Sequence, residues 1–222
     1  MILFGATGMI GQGVLRECLL DARVESVLSI GRKKTGTVHA KLTEIVLPDL
    51  FDYSSVEKQL AGFDACFFCL GVSSAGMQEK EYERVTYGIA IAAAEGLARK
   101  NPQMTFVFVS GAGTDSSERG RSMWARVKGR TENALLRLPF KAAYMFRPGF
   151  IQPLHGIRSR TRIYRVTYAI AAPLMPVLRF LFPSSILTTE EIARAMIAVA
   201  QDGAPKSVLE VRDIVALSRM SG

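Results

Sequence analysis

The seven residues Gly5-Ala6-Thr7-Gly8-Met9-Ile10-Gly11 constrain this chain more than any other stretch. They follow the short apolar run Ile2-Leu3-Phe4 and lead into an amphipathic segment over residues 11–20. Glycine lets a backbone turn sharply, and it leaves room for another group to approach the main chain. A helix starting there offers free N–H groups and the positive end of its dipole, which together hold an anion such as a phosphate. A glycine triplet alone is weak evidence. Set between an apolar strand and a helix, at the start of a strand–helix–strand unit, it is much stronger.

The rest of the chain keeps that alternation. Residues 24–30 and 42–47 read as the second and third strands, and a helix begins over 56–60. Residues 65–70 form a fourth strand, followed by a long Ala-rich helix over 81–100 that Pro102 ends. Residues 105–109 are β-branched and aromatic, a fifth strand, before a helix over 122–136 and a sixth strand over 142–146. Strands alternating with helices demand parallel pairing with right-handed crossovers. The expected fold is therefore α/β, a doubly wound, Rossmann-like parallel sheet. A length of 222 residues suits one domain. Residues 150–190 are irregular and predict a small C-terminal appendage on the substrate side. Thr188-Thr189-Glu190-Glu191 then reads as a helix N-terminus, with threonine caps and acids in the first turn. That helix runs to about residue 200, and 208–211 predict a last short strand.

Charge and cysteine content narrow the function classes. The net charge of +8 is concentrated between Arg119 and Arg165, with twelve Lys/Arg against one acid, Glu132. Such a field favours a polyanion, an anionic membrane surface or a phosphate-bearing ligand. No aromatic-interleaved nucleic-acid motif accompanies it, so nucleic acid is not an expected partner. Three cysteines make no disulfide framework. Cys66 and Cys69 spell C-x-x-C, but on a strand residues three apart face opposite sides, so they read as buried thiols rather than a redox pair. His39 and His155 lack metal-ligand spacing, and no metal is expected. The N-terminus lacks the basic opening of a secretory signal and no long apolar span appears, which predicts a cytoplasmic chain.

The spacing G-x-x-G-x-x-G, with Ala6-Thr7 inside it, resembles the extended and atypical members of the short-chain dehydrogenase/reductase superfamily. The resemblance covers about residues 1–150. It implies a nucleotide cradle at Gly5, Ala6, Thr7, Gly8, Met9, Ile10 and Gly11. Asp49 and Leu50 are similar to the segment that contacts the adenine. Cys69-Leu70-Gly71 matches backbone that lines the nucleotide, and Arg147-Pro148-Gly149 resembles the segment beside the nicotinamide. Cofactor choice follows from charge. NAD enzymes place a carboxylate at the end of the second strand. Here Arg32, Lys33 and Lys34 stand after Gly31 instead, and suit the ribose 2′-phosphate of NADP(H) better than NAD(H).

Members of that superfamily carry Tyr-x-x-x-Lys on a helix and a serine on the preceding strand. The lysine is matched by Lys128 and the serine by Ser110, and both also count as nucleotide contacts. Trp124 occupies the tyrosine position, and an indole N–H donates a hydrogen bond without shuttling a proton. Two readings stand at this point: an NADP-dependent oxidoreductase or epimerase-like enzyme of unassigned small-molecule substrate, and a non-catalytic NADP(H)-binding regulator or redox sensor. The Arg-rich and apolar residues 157–183 read as a lid, with peripheral contact to an anionic membrane as the alternative. The resemblance leaves room for a homodimer, because the fourth and fifth helices pair subunits in many relatives.

Overall fold

The computed structural model describes residues 1–157 and 186–220. Within them the chain alternates as expected. Strands β1 (Ile2–Phe4), β2 (Val27–Gly31), β3 (Leu42–Val46), β4 (Ala65–Phe68), β5 (Thr105–Val109), β6 (Ala142–Arg147) and β9 (Val208–Glu210) form one sheet in the order β3-β2-β1-β4-β5-β6-β9. Every pairing in it is parallel. The order reverses at β1, where β2 lies on one side and β4 on the other, so a crevice opens between their carboxyl ends.

Side-chain alternation along each strand supplies two cores. Leu3, Phe67, Val107 and Phe146 face helices α1 (Met9–Leu20) and α5 (Thr189–Asp202). Ile2, Phe4, Phe68, Phe106 and Phe108 face the other side, against α3 (Ile89–Lys100). The central strands are covered on both faces, which is why Thr-Phe-Val-Phe-Val at β5 is a continuous buried run rather than an alternating one. Cys66 and Cys69 pack into opposite cores, as the strand spacing predicts, and both are free thiols.

Several boundaries move. Residues 54–60 form a 3₁₀ helix, not the start of an α-helix. The helix expected over 81–100 is α2 (Glu79–Glu83), a π turn (Arg84–Gly88) and then α3. The Phe51 ring presses on that turn at Gly88, and the Arg84 guanidinium lies 5.4 Å above the same ring. The irregular region contains a separate parallel pair, β7 (Phe150–Gln152) with β8 (Ile186–Thr188). Helix α6 (Val211–Met220) follows β9 directly, where the sequence reading ended in a strand. The basic and apolar run expected to form a lid or membrane surface lies almost wholly outside the described residues. Among the described residues, no helix is long and apolar enough to cross a membrane.

Candidate functional site

The crevice is a groove of about 660 Å³ across the carboxyl ends of β2, β1, β4 and β5. Its floor is the turn between β1 and α1. Gly5 takes a φ of +80°, and a Cβ there would stand 2.7 Å from the Cys69 and Leu70 backbone. Gly11 serves differently: it does not line the groove, but a Cβ on it would meet the Gly5 carbonyl oxygen at 2.0 Å. Only glycine lets α1 start this close to the strand, and the Gly8 N–H bonds the Gly5 carbonyl at 2.8 Å to tighten the turn. Among the described residues no side chain caps α1, so its first N–H groups are available to an anion.

The walls bring together most of the residues read from the sequence: Gly5 to Ile10, Arg32, Lys33, Leu50, Cys69, Leu70, Gly71, Ser110 and Lys128. Ser29, Ile30, Gly31, Val72, Ser73 and Val109 join them, residues adjacent to the predicted ones that a motif cannot single out. Asp49 does not line the groove. Its carboxylate accepts the Phe51 N–H at 2.9 Å and shapes the turn that presents Leu50. Among the described residues that line the groove, none bears a carboxylate, and Arg32 and Lys33 carry the charge at its β2 end.

At the β5 end, Lys128 on α4 (Met123–Leu135) donates from Nζ to the carbonyls of Val109 at 3.1 Å and Ser110 at 2.9 Å. Burial pushes this ammonium down to about 8, against a smaller opposing pull from Glu132. The Ser110 hydroxyl donates to Glu132 and lies 3.0 Å from the Phe146 carbonyl. Glu132, one turn after Lys128, is 1% exposed. Arg147 holds it through Nε at 3.1 Å and through Nη2, and reaches Glu210 and Ser116 as well. The arginine predicted to sit beside the nicotinamide is thus turned into this buried network. Arg147, Pro148 and Gly149 do not line the groove, and the Pro148 carbonyl accepts the Ala112 N–H instead. Gly129 lets the network form, because a Cβ there would meet the Asp115 carbonyl oxygen at 1.8 Å, next to Ser116. Trp124 packs over the loop after β5, with its ring 3.7 Å from where a Cβ on Gly113 would stand.

The thiols of Cys66 and Cys69 are both pushed far up by burial, which removes the thiolate a redox pair needs. His155, without ligand spacing in the sequence, meets carboxylates in the fold: its Nε2 lies 3.0 Å from Glu190, and Glu17 is close by. Arg16 and Arg194 pair with those carboxylates, so the cluster is an ion-pair network between α1 and α5.

Fold and groove together define the class, an atypical Rossmann protein of the short-chain dehydrogenase/reductase type. The NAD(P)H-binding family matches residues 5–137, more than half of the chain, and the chain belongs to it. It is 26% identical over 214 residues to the mitochondrial protein FMP52-2 of Scheffersomyces stipitis, covering 94% of this chain and 90% of that one. The mitochondrial protein fmp52 of Aspergillus clavatus is 30% identical over 167 residues, 72% of this chain and 68% of that one. HTATIP2 of Rattus norvegicus is 27% identical over 154 residues, 68% of this chain and 65% of that one. Among solved structures, a UDP-N-acetylglucosamine 4-epimerase from Methanobrevibacter ruminantium superposes with a TM-score of 0.69 at 16% identity, covering 94% of this chain and 74% of that one. The Bordetella bronchiseptica enzyme WbmF, in complex with NAD+, gives 0.68 at 14% identity, covering 100% and 78%. At those identities the likeness is one of fold.

Proposed function

We propose that this protein is an NADP(H)-dependent oxidoreductase, with the adenosine phosphate held at Arg32 and Lys33 and the nicotinamide directed toward Ser110 and Lys128. The observation that carries the reading is the charge of the groove. Two cations stand where an NAD-selective site presents a carboxylate, and no described lining residue is acidic. A phosphate dianion there gains charge-assisted hydrogen bonds worth about 1.5–3 kcal/mol each, and a bare ribose does not. The missing Cβ atoms at Gly5 and Gly11 and the free N–H groups of α1 suit the pyrophosphate between the two ends. When bound, the cofactor supplies a hydride. Ser110 and Lys128 orient the group that receives it.

Calorimetric titration tests the cofactor choice. NADPH binds at least about tenfold more tightly than NADH, and Arg32→Asp removes that preference. Equal or tighter binding of NADH to the unaltered protein would sink the assignment. A second reading, a dinucleotide-binding regulator, is favoured by one observation: the tyrosine position holds Trp124, and no tyrosine is among the described residues that line the groove. NADPH consumption with carbonyl, quinone and flavin acceptors separates the two, since a regulator binds without consuming. The three free thiols suit a reducing compartment. That is the cytoplasm, as the sequence reading has it, or a mitochondrial one, the word carried in the names of the fungal relatives.

A further inference from the structure

The geometry points to Lys128 as the proton donor of this site: its ammonium delivers a proton to the oxygen of a carbonyl-bearing substrate, the task a tyrosine has in the resembled enzymes. The proposal rests on the oxidoreductase reading and assigns the acid that reading lacks.

The other donors among the described residues at the β5 end are excluded one by one. The Trp124 indole does not release its proton in water near neutral pH. Ser110 has a single hydroxyl proton, and both partners within reach of it, the Glu132 carboxylate and the Phe146 carbonyl, only accept. Arg147 fixes Glu132 through two nitrogens, so Ser110 turns lone pairs, not a proton, toward the groove. Cys69, on the segment after β4, has a thiol that burial raises out of range. Arg32 and Lys33 stand at the β2 end, three strands from β5 in the sheet order. Lys128 remains. Two of its three N–H bonds go to the Val109 and Ser110 carbonyls, and among the described residues no acceptor takes the third, which faces the groove it lines.

The charged and polar groups around it set its acidity. Glu132 on its own helix is the nearest anion, and Arg147 of β6 neutralises it. From β5 the Phe108 ring lies 5.4 Å away. Burial outweighs the attraction of Glu132 and lowers the ammonium to about 8. An acid near neutrality transfers protons far more effectively than an ordinary lysine.

The step balances simply. Hydride adds to the carbonyl carbon, the π pair moves to oxygen, and the Lys128 N–H bond breaks as the O–H bond forms. The carbonyl compound is reduced to an alcohol and the nicotinamide is oxidised. The neutral amine regains its proton from water.

Two measurements test this, one without cofactor. Acetylation of Lys128 in the ligand-free protein by trace acetic anhydride, followed by mass spectrometry from about pH 6 to pH 10, shows a midpoint near 8, and NADPH protects the amine. A midpoint at the ordinary lysine value overturns the proposal. The Lys128→Arg variant keeps a cation for the ligand but does not release a proton. It binds NADPH within about threefold of the unaltered protein, and consumption of NADPH with 4-nitrobenzaldehyde falls by about 100-fold or more. In the unaltered protein that rate declines as pH rises through about 8, and the decline is absent from the residual activity of the variant. Full activity and an unchanged pH profile in Lys128→Arg sink the proposal alone. No consumption by the unaltered protein with 4-nitrobenzaldehyde or 9,10-phenanthrenequinone, with NADPH binding intact, sinks the oxidoreductase reading and the proposal with it.

Discussion

A carboxylate as deeply buried as Glu132 is tolerable only because its lone pairs are filled, by Arg147 through two nitrogens and by the Ser110 hydroxyl. Glu132→Ala leaves the Arg147 guanidinium with Glu210, which is half-exposed, and leaves Ser110 with the Phe146 carbonyl. Removing one partner of a buried pair costs about 3–5 kcal/mol. Urea denaturation of this variant is expected to show that loss, and a change under about 1 kcal/mol would mean water reaches the pair. Lys128 gives the second expectation at this scale. Its folded pKa of about 8 lies below the ordinary value of 10.5, so between those limits the unfolded chain holds the proton more tightly. The cost of burying the ammonium is fully present below about 8 and is relieved as pH rises toward 10.5. Ligand-free stability therefore climbs across that window, by at most about 1.4 kcal/mol per pH unit, and Lys128→Met flattens the climb.

Among the elements, α5 shows how local signals and packing combine. The Thr188 hydroxyl accepts the Glu191 N–H at 3.0 Å, and the Glu191 carboxylate accepts the Thr188 N–H at 2.7 Å, a reciprocal cap legible in the residue types alone. Thr188→Ala is expected to cost about 1 kcal/mol and to lower Tm by about 2–4 °C. NADPH affinity should not change, because Thr188 does not line the groove. A large loss of affinity would instead tie α5 to the site. The capped helix packs its apolar face on α1 and on the core beneath the sheet. The helix that begins at the glycine turn is thus held by the helix that Thr188 starts. The π turn at Arg84–Gly88 carries the opposite lesson. Arg-Val-Thr-Tyr-Gly holds no proline, and its glycine lowers helix propensity without specifying a widened turn, which appears where Phe51, distant in sequence, packs against Gly88.

For the molecule as a whole, the groove is built from the ends of separate strands, so a dinucleotide spanning it ties β2, β1, β4 and β5 together. Binding to the folded state alone stabilises by mass action, about 2.7 kcal/mol at a hundredfold excess over Kd. Thermal unfolding with NADPH at that excess should shift Tm upward by about 5–10 °C. The same concentration of NADH should give a clearly smaller shift, and equal shifts would count against the Arg32 assignment.

Much of this was written in local sequence, and the reason is the range of the forces involved. The turn at Gly5 to Gly11, the buried strands and the Thr188 cap depend on neighbours within a few residues, so residue type and spacing reveal them. Arg32 and Lys33 follow the same rule, since the end of β2 carries them to the groove wherever the sheet forms. What lay beyond the sequence depends on partners far along the chain. Arg147 reads as a ligand contact, yet it turns inward because Glu132, fifteen residues earlier, and Glu210, sixty-three residues later, converge on it. Asp49 likewise satisfies its own turn. The lowered pKa of Lys128 and the committed proton of Ser110 are also tertiary facts. Desolvation and hydrogen-bond direction depend on what the fold wraps around a side chain, and a motif names only the side chain.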